Sequence, residues 1–142
     1  MAASDDRPYR VAINIDAAPD PQYVLELAEA FAQIVRALNH VTRHHEALEY
    51  PAEADELIRD VALAVSRFPQ LLEQAGRWLA AEHEAGRVGT DDDRAPATIV
   101  AAARIRLDRA REIAHDLAAA LAFATAATSH LKTADSGEDA DG

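Results

Sequence analysis

Apolar side chains recur along this chain at alternating spacings of three and four residues. In the first long segment Val24, Leu27, Phe31, Ile34, Leu38, Val41, His45 and Leu48 form an unbroken a/d seam. That is the period of a helix buried along one side. The segment follows Pro19-Asp20-Pro21, with Asp20 suited to an N-cap and Pro21 to the first helical turn. It is expected to end near Glu49-Tyr50-Pro51, because the residue before a proline resists the α region. The predicted helix has about 26 residues and a length of about 39 Å.

A second segment carries two stripes. Leu57, Val61, Ala64, Phe68, Leu71, Ala75 and Trp78 form one seam, and Ile58, Val65, Leu72 and Leu79 repeat every seven residues beside it. The doubled stripe predicts a wide buried face, with Trp78 in the core. Pro69 interrupts the helix at a cost near 3 kcal/mol and Gly76 adds about 1 kcal/mol. Either one kinked helix runs over 53–84, or two short helices meet near Phe68. The apolar phase passes the proline without a slip, and Phe68 is a poor N-cap, which favours the kink.

Gly86 to Asp93 reads as a loop, with Asp93 a candidate cap for a third helix that has Pro96 in its first turn. Its seam is Val100, Ala103, Leu107, Ala110, Ala114, Leu117, Leu121, Ala124, Thr128 and Leu131. Four of these ten are alanine, so this helix can approach its neighbours closely. The expected fold is all-α: an elongated antiparallel bundle of three long helices, or four if Pro69 turns a corner. Residues 1–20 form an N-terminal arm, 21–132 the bundle, and 133–142 a polar, acidic tail expected to be disordered.

The arm breaks the helical pattern. Tyr9 to Asp16 alternates with period 2, which places Tyr9, Val11, Ile13 and Ile15 on one side of an extended segment. No second strand-like segment exists in the chain. A strand here would pair with the same segment of a second copy, or the arm would lie against its own helices.

Composition narrows the picture. Of 142 residues, 49% are apolar, but alanine accounts for nearly half of that set, so the core is lean. There is no cysteine, which excludes disulfides, thiolate metal sites and a cysteine nucleophile. The net charge is −11, about half of it in the two tails. An acidic body repels phosphate, so DNA and anionic membranes are not expected partners. The chain opens without the basic-then-apolar order of a signal peptide, and its longest uncharged apolar-leaning stretch, Leu117 to Ser129, is too short and too alanine-rich to span a bilayer. The reading is a cytoplasmic protein.

Candidate chemistry is sparse. His40 and His44 stand at the i,i+4 spacing that can present two imidazoles to one ion, with His45 on the seam and Glu49 four residues further. A histidine–carboxylate bundle needs further ligands on other helices, and Glu112-Ile113-Ala114-His115 is the only ExxH. The simpler expectation is a surface pair, His40 and His44, with His45 buried. The third helix carries Arg104, Arg106, Arg109 and Arg111 with only Asp108 among them. They could hold a phosphate or pair with acids such as Glu26, Glu29 and Glu73.

Arg109 and His115, with five residues between them, resemble the paired arginine and histidine of HEPN-type ribonucleases, which are small α-helical dimers. Ala110 stands where that family usually has a polar residue. The resemblance implies RNA cleavage with His115 as general base and Arg109 on the phosphate. No GxSxG, GxGxxG or GxxxxGK[ST] occurs. Asp91-Asp92-Asp93 lacks the alternating ligands of an EF-hand loop.

The sequence therefore predicts a non-catalytic protein–protein interaction or self-assembly module, a homodimer or a binder of another protein, with no cofactor. The HEPN-like ribonuclease and a histidine-based metal bundle are the alternatives.

Overall fold

A computed structural model describes residues 10–135. The protein is all-α, with no strand among the described residues. Its elements are α1 (Pro21–Val41), a short 3-10 turn (His45–Ala47), α2 (Pro51–Ser66), α3 (Phe68–Glu84) and α4 (Pro96–Thr128). The chain divides into two units, Met1–Glu49 and Tyr50–Gly142.

In the first unit α1 begins as its sequence predicts. Asp20 is extended, its carboxylate accepts the Gln22 amide proton at 3.0 Å, and Pro21 fills the first turn. The helix stops at Val41, earlier than the seam suggests. The Thr42 hydroxyl donates back to the Leu38 carbonyl at 2.7 Å, and His40, Val41, Thr42, His44 and His45 are weak helix formers, with only Arg43 a good one among them. His44 is already extended, and His45 opens the 3-10 turn. His45 is therefore exposed rather than buried on a seam.

The arm is not extended throughout. Ile15 and Asp16 form a turn, in which the Asn14 side chain accepts the Asp16 amide at 3.1 Å and the Asn14 carbonyl accepts the Ala17 amide at 3.2 Å. The Tyr23 hydroxyl fastens it to α1, accepting from the Asn14 amide and donating to the Ala12 carbonyl, each at 2.8 Å.

The second unit is a helical hairpin. Asp55 accepts a hydrogen bond from Thr128, Glu73 pairs with Arg111, and a Cβ on Gly76 would lie 3.4 Å from Leu107. Rising numbers on α2 and α3 meet falling numbers on α4, so the two arms are antiparallel. α2 and α3 both pack along α4 and scarcely on each other. Only Arg67 separates them, and it keeps αR geometry (φ −91°, ψ −14°). The proline therefore breaks the hydrogen-bond ladder without turning a corner, because α3 restarts with Pro69 in its first turn.

The stripe that faces α4 contains Asp55, Ile58, Val65, Pro69, Leu72, Gly76 and Leu79, all buried or half-buried. The seam through Leu57, Val61, Leu71 and Trp78 lies a quarter-turn away, and Trp78 is 65% exposed instead of buried. On α4, Val100 and Ala114 are buried as expected, whereas Leu117 is turned outward. A two-layer hairpin buries one line of side chains per arm, and the narrower stripe, with its small residues Gly76 and Ala114, lets the arms come closer.

The hairpin's loop starts from a Schellman cap. Gly86, at φ +71°, donates to His83 at 2.9 Å, and Arg87 donates to Glu82 at 3.0 Å. Ala95 is the N-cap of α4. Asp92, not Asp93, orders the loop, accepting the Arg94 amide at 3.0 Å and pairing with its guanidinium.

Candidate functional site

The two sides of the hairpin differ in chemistry. Glu73, Arg77, Arg104, Asp108 and Arg111 all follow inward-facing positions by about one residue, and all line one hollow of about 130 Å³. The C-terminal flanks of both stripes thus share one side. A residue one position before the inward stripe points about 100° the other way, so the N-terminal flanks share the opposite side. There α2 and α3 present Leu57, Val61, Ala64, Phe68, Leu71 and Trp78, and α4 presents Ile113, Leu117, Ala120 and Ala124. Leu71 is 63% exposed and Ile113 51%. Arg106 interrupts this apolar side near the loop end.

The first unit carries a matching row. Along α1, Val24 is 60% exposed, Ile34 49% and Val41 53%, with Phe31 and Leu38 between them also exposed. Only Ala30 of this helix is buried.

On the charged side, Glu73 accepts from Arg77 at 2.7 Å and from Arg111 at 3.5 Å, and Arg111 also reaches Asp108 at 3.3 Å. The Arg111–Glu73 pair is one that the sequence anticipates. Arg111 Nε is buried without a hydrogen-bond partner, and Arg104 has no ion-pair partner among the described residues. Arg77 and Arg111 are paired with acids on their own hairpin, and the hollow holds three arginines against two acids, a small net field for phosphate.

Arg109 pairs with Glu112 at 2.8 Å. His115 lies in a shallow depression with Asp108, Arg111 and Glu112, which Arg109 does not line. Six residues of helix place their directions about 120° apart, so one chain does not converge them on a single phosphate.

His40 and His44 stand with ring centroids 6.2 Å apart in an edge-on arrangement. His40 Nδ1 is 2.8 Å from the Arg43 guanidinium, a strong donor that competes with a cation for that lone pair. No group of three or more metal-ligating side chains is gathered among the described residues. In the arm, Val11 is half-buried, Ile13 exposed and Ile15 95% exposed. Tyr9 lies outside the described residues, as do residues 136–142 of the acidic tail.

Two carboxylates are held below their ordinary range, both by arginine. Glu82 accepts both Arg87 hydrogen bonds at 2.6 and 2.7 Å, and Asp92 is held by Arg94. Both staple the loop between α3 and α4. Among the described residues no helix is long and apolar enough to cross a membrane.

The apolar side of the hairpin could be found in the sequence, since its seam is there. Its exposure could not, because two stripes compete and only packing against α4 selects one. No family model, curated protein or solved structure matches this chain.

Proposed function

We propose that this protein is a non-catalytic association module that works by covering its exposed helical faces with another protein surface. The observation that carries this reading is the pair of continuous apolar rows, one along α1 and one along the hairpin from Leu57 to Trp78. Scattered exposed apolar residues are ordinary on a monomer, whereas contiguous rows mark interaction surfaces. Most of a helix's stability in a protein comes from packing its amphipathic face, so α1 gains from covering its seam.

The arrangement of Arg109 and His115 gives no comparable support to RNA cleavage, nor that of His40 and His44 to a metal centre. The test is the mass of the full-length protein by light scattering across about 1–100 μM, with the single Trp78 as fluorescent reporter. Association with a blue shift of the tryptophan emission is expected. A concentration-independent monomer that also captures no protein partner from its host would overturn the reading.

A further inference from the structure

We infer that the two exposed rows are each other's partners between two copies of this chain: α1 of one copy lies along the Leu57–Trp78 face of the other, and reciprocally. This rests on the association reading above and assigns its surfaces. The first argument is length. The α1 seam from Val24 to Val41 rises about 26 Å and the hairpin face from Leu57 to Trp78 about 32 Å, so one helix covers most of the face. The second is period. Both rows repeat at alternating spacings of three and four, the pattern that lets two helices interleave at a shallow crossing angle.

The third argument is size. Each seat is roughly 26 Å of seam by 10 Å of width, and the four faces of a reciprocal exchange make about 1,000 Å², the floor for a specific interface. Ala64 on the hairpin, with Ala120 and Ala124 on α4, leaves room for a third helix to approach. A second copy is the occupant the chain itself specifies. Every copy carries both halves, and a two-fold exchange covers all four rows at once and closes without leaving an open end. The opposite, charged side of the hairpin stays in water.

The experiment uses full-length protein and two charge insertions at exposed positions, Leu38→Glu on α1 and Leu71→Arg on the hairpin. Wild type is expected to be a dimer whose Trp78 emission shifts to the blue on association. Each variant alone should weaken dimerisation at least tenfold, about 1.4 kcal/mol or more, with unchanged helical circular dichroism. Mixing the two variants should restore dimers and the blue shift, because the mixed pair contains one intact α1 on one intact hairpin.

Wild-type dimers that both variants leave intact would overturn this assignment while the association reading stands. So would two monomeric variants that fail to recover on mixing while both keep wild-type helicity. A wild-type monomer at 100 μM would remove the self-exchange; if it also captures no partner, the association reading falls with it.

Discussion

Gly76 shows how much one residue decides in this hairpin. It sits buried in mid-helix at the crossing of α3 and α4, where a glycine costs about 1 kcal/mol relative to alanine. A Cβ there would meet only the Leu107 methyl at 3.4 Å, an ordinary contact. Gly76→Ala is therefore expected to stabilise by about 0.5–1 kcal/mol in thermal unfolding, while a larger residue would push the arms apart. Asp55 is the opposite case, a buried carboxylate satisfied by Thr128 from α4 and Arg59 from its own helix. Thr128→Val should cost about 1–3 kcal/mol in denaturant melts, because it leaves that acceptor short of a partner inside the contact.

At Glu82 the effect is one of pH. Arg87 depresses its carboxyl below the ordinary 4.5 in the folded state. The stability it contributes is present above that value and lost as pH falls through the lower folded value. Arg87→Ala should remove that acid-limb loss and leave the difference between wild type and variant constant from about pH 5.5 to 8. Arg87 is exposed and Glu82 only half-buried, so solvent screens the pair and the effect is small.

The break between α2 and α3 belongs to the scale of elements. Counted as an interruption of one helix, Pro69 costs near 3 kcal/mol, and Pro69→Ala would stabilise by up to that amount. The structure reduces the expectation. Pro69 occupies the first turn of α3, where a missing amide proton is least costly, and its ring is buried. Replacing it restores a donor but removes about two buried methylenes, each worth about 0.8 kcal/mol. The net change in melting free energy should fall within about 1 kcal/mol of zero, with helicity retained. A large loss of helicity would mean that the break is required rather than tolerated.

For the whole molecule, the arm and the helical faces are rival sources of association. The Tyr23 hydroxyl ties Ala12 and Asn14 to α1, and the turn at Ile15 and Asp16 interrupts the alternation that a paired strand requires. Deleting residues 1–16 is accordingly expected to leave the mass in solution unchanged. A monomeric truncation beside a dimeric full-length protein would return the interface to Val11, Ile13 and Ile15.

Legibility divides along physical lines. Local signals were readable: Asp20 and Pro21 start α1, Gly86 closes α3, Pro96 opens α4, and the long apolar periods make the class all-α. Each depends on backbone chemistry within one turn, which a single segment contains. The end of α1 is not legible in the seam, because the a/d pattern continues past Thr42 while weak helix formers and a hydroxyl bonded back to Leu38 stop the helix. Which stripe of α2 and α3 turns inward was not in the sequence at all. Leu57–Trp78 is the more apolar row, yet Val65, Pro69 and Gly76 face α4, because close approach of two helices rewards small residues at the contact more than large ones beside it. The tertiary structure alone therefore decided that Trp78 and Leu71 stay outside, and with them the face on which the proposed association rests.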